Sequence, residues 1–252
     1  LRELCDESNE TLFRPVLFEL PIGYGQKGTP EAVTFPLPDG REATLKGKID
    51  RVDAYRKNGE IYVRVVDYKT GTKEFVPSSL ARGENMQMML YLSALLSSDG
   101  SVKERLGGSA QDELRPAGVL YFNCLPGRME SDRPMTEAEE ADLIRCGMKR
   151  SGLFLSDLSV LRAMQPEDSE RKYLPLTFKT DGSVAKASLS RLRTPEEWAA
   201  LFEQLRETVT GISARIARGC AEARPLRGNG NSSVCDYCGF KPMCRNASVG
   251  GK

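Results

Sequence analysis

Gly47-Lys48-Ile49-Asp50-Arg51-Val52-Asp53, a polar break at Lys57-Asn58-Gly59, and Ile61-Tyr62-Val63-Arg64-Val65-Val66-Asp67-Tyr68-Lys69-Thr70-Gly71 form one continuous unit. Two apolar, β-branched runs flank an Asn-Gly pair, the strongest short hairpin signal in a sequence. Side chains alternate along a strand, so Asp67 and Lys69 point to one face. Asp50 ends the facing stretch of the preceding strand and can meet them. Two carboxylates and an ammonium at one spot suit a divalent metal and phosphate chemistry. The backbone carbonyl of Tyr68 lies between Asp67 and Lys69 and is a further candidate ligand. The plain alternative is a set of solvated strand-end charges, since Asp-x-Lys alone is a common pattern.

On the N-terminal side, residues 1–14 read as the tail of a helix entering a loop. Pro15 to Tyr24 reads as a strand with Glu19 in its middle. Ala32 to Leu37 and Glu42 to Ala54 read as strands joined by the turn Pro38-Asp39-Gly40. Ile61 to Tyr68 is apolar on both faces, as a central strand is. Beyond the hairpin, a helix is expected from about Ser78 to Ser97, with Gln87 and Tyr91 on one face and Met86, Met89, Leu90 and Leu96 toward the core. Ser97 to Arg115 is polar and Gly-rich and reads as a linker. Pro116 to Cys124 is another strand. Thr136 to Arg150 has a helical pattern with a capping box at Thr136 and Glu139. A short helix is expected after Ser156, a hairpin around Asp181-Gly182, and a long helix opened by Thr194-Pro195-Glu196-Glu197 and ending near Gly219. This order gives an α/β (α+β) fold with one mixed central sheet flanked by helices.

The chain has 252 residues, 40% of them hydrophobic, enough for a sizeable core. The net charge of +1 gives no global vote for nucleic acid. No run is apolar enough to span a bilayer, so no membrane partner is expected. No histidine is present, which removes His-based triads, His bases and His metal ligands from these residues. No Walker-type phosphate loop is present, so an ATP-driven motor would lie outside this chain. The first residue is Leu1, which reads as a segment of a longer protein. Lys46, Lys48, Arg51, Lys73 and Arg82 surround the hairpin and can neutralise phosphates, or simply solvate a strand edge. Tyr91 and Phe75 are candidates for stacking on bases, whereas Trp198 reads as core.

Seven cysteines, an odd number, fit a metal or cluster site in a reducing cytoplasm better than a disulfide framework. Cys235-x-x-Cys238 followed by Cys244 gathers three of them. Thiolates this close favour a soft metal or an iron–sulfur cluster. From spacing alone a zinc site is the stronger default, and three buried structural cysteines are the bland alternative. Cys124, Cys146 and Cys220 read as core or surface thiols.

Taken together, Gly47-x-Ile49-Asp50-Arg51-x-Asp53, Asp67-Tyr68-Lys69-Thr70-Gly71 and Gln87-x-x-x-Tyr91 resemble the nuclease domain of the PD-(D/E)xK superfamily, in its RecB/AddB branch. Gly152-Leu153-Phe154-Leu155, Val160 to Met164, Phe178 to Ser183 and the approach from Ile216 through Pro225 to the cysteines extend the resemblance over nearly the whole chain. It implies a restriction-endonuclease-like fold, with one nuclease domain over 1–252, a catalytic core at 15–124, a helical and hairpin region at 125–219 and a cysteine-cluster tail at 220–252. It implies that Asp50 and Asp67 bind Mg²⁺, that Lys69 is catalytic, and that Gln87 and Tyr91 orient the site and the DNA. Glu19 resembles a glutamate carried by the family on the strand leading in, or is a plain exposed strand residue.

For the cysteines, the resemblance implies a [4Fe–4S] cluster held by Cys235, Cys238, Cys244 and a fourth thiolate upstream, with Zn²⁺ as the alternative. Cys5 is the candidate fourth ligand. It lies only fourteen positions before Glu19, however, and no His-bearing helix accompanies it, so the chain is also expected to start downstream of the family's upstream Cys and His. The implied activity is a Mg²⁺-dependent DNA exonuclease. It would belong to a bacterial cytoplasmic helicase–nuclease that acts on DNA ends with an AddA-like partner, in recombinational repair of double-strand breaks. The alternatives are a stand-alone iron–sulfur nuclease, a zinc-binding structural module, or a catalytically incomplete fold that only binds DNA. Retention of Asp50, Asp67 and Lys69 together argues against the last.

Overall fold

A computed structural model describes residues 2–70, 74–124, 133–140, 144, 150–167, 172–222, 235 and 238–244. In chain order the elements are α1 (Arg2–Glu10), β1 (Arg14–Ile22), β2 (Val33–Pro36), β3 (Glu42–Leu45), β4 (Gly47–Lys57) and β5 (Glu60–Lys69). A 3₁₀ turn (Pro77–Arg82), α2 (Met86–Leu96), α3 (Gly100–Arg105) and β6 (Glu113–Asn123) follow. The C-terminal part has β7 (Arg150–Leu155), α4 (Leu158–Met164), a 3₁₀ turn (Lys186–Arg191), β8 (Leu192–Arg193) and α5 (Pro195–Ala217). The main sheet runs β1-β4-β5-β6-β7-β8, with β5–β6 and β7–β8 parallel and the other pairs antiparallel. This is the expected mixed α/β sheet. β2 and β3 pair separately.

The Asn-Gly hairpin forms as its sequence requires. Asn58 and Gly59 both have positive φ, 53° and 79°, and Lys57 pairs with Glu60 across the two-residue loop. β5 lies between β4 and β6 and is buried from Ile61 to Asp67. Because β5 and β6 are parallel, the chain must cross back over one face of the sheet. α2 is that crossover, packed on β5 and β6 and against α5. α5 starts on the predicted cap: Thr194 Oγ1 accepts from Glu197 N at 3.3 Å and Glu197 Oε2 from Thr194 N at 2.8 Å. Trp198 beneath it is core. The Thr136–Glu139 capping box is also present, with residues 137–140 helical. Among the described residues, no helix is long and apolar enough to cross a membrane.

Four expectations are corrected. The strand predicted over Glu42–Ala54 breaks at Lys46, where the chain leaves the β2–β3 pair and joins the main sheet. The helix predicted from Ser78 starts at Met86, because Gly83 (φ 79°) and Asn85 (φ 55°) turn the chain left-handed. Its core side is Met88, Met89, Leu92 and Leu95, while Met86, Leu90 and Leu96 are only half-buried. Ser97–Arg115 is not a loose linker. Asp99 caps α3 by accepting from Ser101 N and Val102 N, and Val102 and Leu106 are buried.

Candidate active site

The pairing of Arg51 with Val66 across β4 and β5, continued one step, brings Asp50 level with Asp67. Asp50 Oδ2 accepts from the backbone N–H of Tyr68 at 3.0 Å, which holds its carboxylate toward β5. Asp67 is buried, at 3% exposure, and forms an ion pair with Lys69 two residues on. Asp50, Asp67 and Lys69, read from sequence as one constellation, are therefore brought together by one hairpin.

β6 adds a residue that the sequence reading passed over. Tyr121 is register-paired with Asp67, and Lys69 Nζ lies 5.6 Å from its ring centroid. Burial, and secondly the Asp67 charge, push the Tyr121 hydroxyl up to about 12, so it stays neutral beside the carboxylate. Tyr121 was visible only as one apolar member of a strand. Its role depends on β6 lying parallel to β5 in this register.

Gln87 and Tyr91 face one another one turn apart on α2, with Gln87 Nε2 donating to Tyr91 Oη at 3.2 Å. The Tyr91 ring lies on Gly47, where an added Cβ would stand 2.6 Å from Tyr91 Cε1. Gly47 thus lets α2 approach the start of β4, three residues before Asp50. Gln87, Tyr91, Gly47, Ile22 and Leu45 line a cavity of about 310 Å³ beside that contact. Glu19 falls level with Asp50, bracketed by Phe18 opposite Arg51 and Leu20 opposite Ile49. Its φ of 48° turns it out of the ladder, and it is exposed and ion-paired with Lys48.

Two proposed DNA contacts are corrected. Arg51 is buried, at 4% exposure, and makes a two-pronged ion pair with Asp53. Alternation sends it to the sheet face opposite Asp50. Phe75 is also buried and packs against Tyr121, with ring centroids 6.2 Å apart. Lys46 is exposed, over the Tyr24 ring, and Arg82 is paired with Glu84. Lys73 and Cys146 lie outside the described residues.

On the opposite face, Asp53 also accepts from Arg64 Nε at 3.0 Å. Arg64 Nη2 donates to Glu7 Oε1 of α1 at 2.9 Å, and Arg150 Nη1 of β7 lies 3.1 Å from the same oxygen. Arg51 Nη1 also donates to Tyr68 Oη at 3.2 Å, on the face away from Asp67 and Lys69. Burial alone would raise the Glu7 carboxyl, but Arg64 and Arg150 hold it below the ordinary 4.5.

The side-chain donors at the site are hard oxygens, the Asp50 and Asp67 carboxylates, which suit Mg²⁺ rather than a soft metal. The cysteines offer the contrasting soft set. Cys235 and Cys244 are half-buried, and Cys238, Cys5, Cys124 and Cys220 are exposed free thiols. Cys238 N donates to Cys235 O at 3.4 Å and Cys244 N to Phe240 O at 2.9 Å. Among the described residues, no group of three or more Cys, Asp and Glu side chains is gathered as a metal site.

The family description "PD-(D/E)XK nuclease superfamily" matches residues 1–245. Among curated proteins, the chain is 30% identical over 246 residues to the B subunit of the ATP-dependent helicase/deoxyribonuclease of Clostridium acetobutylicum, covering 97% of this chain and 20% of that protein. It is 33% identical over 249 residues to the protein of the same name from Desulforudis audaxviator, covering 96% and 20%. The Acetivibrio thermocellus protein of that name is 30% identical over 243 residues, again covering 96% and 20%. The chain thus spans about a fifth of the length of these relatives. With its mixed sheet and the Asp50, Asp67 and Lys69 hairpin, the chain belongs to the PD-(D/E)XK nuclease superfamily.

Proposed function

We propose that this chain is a Mg²⁺-dependent DNA exonuclease domain. It would work in an AddAB-type helicase–nuclease, beside an AddA-like helicase partner, in bacterial cytoplasmic repair of double-strand breaks. The observation that carries this reading is the level placement of Asp50 and Asp67 with Lys69 on the same face as Asp67. Asp50, Asp67 and the Tyr68 carbonyl would hold Mg²⁺, which supplies an acidified water and offsets charge on the phosphate. Lys69 then faces the scissile phosphate as a point charge that stabilises the negative charge gathering on its oxygens. Tyr121 stays neutral beneath Lys69 and shields the Asp67 side of the site from water. Gln87 and Tyr91 border the DNA path at the α2 end of β4. Glu19, level with Asp50, would contribute at the outer rim.

Cys235, Cys238 and Cys244 would hold a structural [4Fe–4S] cluster, with the fourth thiolate from Cys5 or from upstream sequence. This part rests on the resemblance to the RecB/AddB branch; the thiolate spacing taken alone suits zinc equally well or better. Anaerobically purified protein is expected to show broad absorbance at the blue end of the visible range. A colourless protein carrying zinc would remove the cluster from the proposal.

The activity is tested on linear and covalently closed circular DNA. With Mg²⁺ the linear substrate is expected to shorten from its ends and the circle to persist, and chelation of the metal should stop the reaction. Undiminished cleavage in chelator, or rapid loss of closed circles, would contradict the proposal.

A further inference from the structure

Asn123 closes β6 and is register-paired with Lys69. It stands two residues beyond Tyr121, whose ring lies beneath the Lys69 ammonium. Alternation therefore places Asn123 on the same face as Tyr121, Asp67 and Lys69. It is 3% exposed, and its Oδ1 is buried with no hydrogen-bond partner. A buried amide oxygen ordinarily finds a donor, and an unmet acceptor beside an active site calls for a reason.

The donor level with this oxygen is Lys69. Its ammonium carries three N–H groups and is now directed at Asp67. Asp67 cannot serve the lysine and a divalent cation equally well, because each lone pair given to one is withheld from the other. We infer that Asn123 is a positioning residue for Lys69, its Oδ1 accepting the ammonium when the Asp67 carboxylate is turned to a cation. This inference rests on the nuclease reading. A neutral amide suits the task because it holds the lysine without adding charge to the site. It also explains an otherwise costly choice, since an apolar side chain would fill the same buried position with no unpaired acceptor.

The test is Mn²⁺ titration of the purified protein by calorimetry, with melting temperatures measured in chelator. Asn123→Leu keeps the branched outline of the side chain but removes the acceptor, so Lys69 has no second station and competes for Asp67. Its Mn²⁺ affinity is expected to fall about tenfold or more, while its melting temperature in chelator is unchanged or higher. Asn123→Asp keeps an oxygen in place and is expected to bind Mn²⁺ at least as tightly as wild type. Undiminished affinity in Asn123→Leu would overturn the inference. So would a loss of affinity matched by a fall in melting temperature, which marks a merely structural residue. If the leucine variant does not fold, weakened binding by Asn123→Asp overturns the inference alone. Asp67→Asn separates the two levels. Binding lost in Asp67→Asn but indifferent to Asn123→Leu removes only the Asn123 role, whereas binding indifferent to Asp67→Asn removes the nuclease reading with it.

Discussion

Asp53→Ala is expected to lower the stability of the protein by about 3–5 kcal/mol, the usual cost of removing one partner from a buried ion pair. Asp53 is fully buried and accepts from both Arg51 and Arg64. Without it, three guanidinium groups, those of Arg51, Arg64 and Arg150, remain in the interior with Glu7 as the carboxylate left among these residues. The loss is large beside the roughly 5–15 kcal/mol that holds a typical domain together. Thermal unfolding should register it as a fall of roughly 10 °C. A change within a degree would show that the interior relaxes around unpaired arginines. The same network gives an acid dependence. The Glu7 carboxyl titrates lower in the folded chain than in the unfolded one. Its contribution is therefore fully present above the ordinary glutamate value of 4.5 and is lost as pH falls through the depressed folded value.

Asp67→Ala is expected to remove catalysis while leaving the fold largely intact. Asp67 is near the end of β5 and is the carboxylate that both the candidate cation site and Lys69 share. Its loss takes away one of two charged oxygen ligands and releases Lys69. About 4 kcal/mol of transition-state stabilisation corresponds to a roughly thousandfold fall in rate. Thermal unfolding within a few degrees of wild type would separate this chemical effect from the structural one at Asp53. The two carboxylates lie fourteen residues apart in sequence and on opposite sheet faces.

The hairpin was legible because its determinants are local. Asn58-Gly59 takes the two left-handed conformations that its turn demands. Strand alternation then decides which side each of Asp50, Asp67 and Lys69 faces. The long C-terminal helix was legible from its capping box in the same way. Arg51 was misread because an isolated arginine in sequence looks like a surface charge. Its burial depends on Asp53 two residues away and on Arg64 across the hairpin, with Glu7 on a helix 57 positions from Arg64. Phe75 was misread as a base-stacking residue, and Tyr121 and Asn123 were passed over, for a related reason: no local pattern reports that β6 returns parallel to β5 in that register. α3 did carry a local signal, Asp99 followed by Val102 and Leu106, which the surrounding glycines and charges obscured.

The decisive comparison is the initial rate of Mg²⁺-dependent cleavage of linear DNA by the wild-type protein and by Asp67→Ala, each shown folded by its thermal transition. Cleavage by the wild type, stopped by chelator and roughly a thousandfold slower in Asp67→Ala, is the predicted result. Equal rates for the two proteins, or no cleavage by folded wild type at saturating Mg²⁺, would contradict an active site built from Asp50, Asp67 and Lys69.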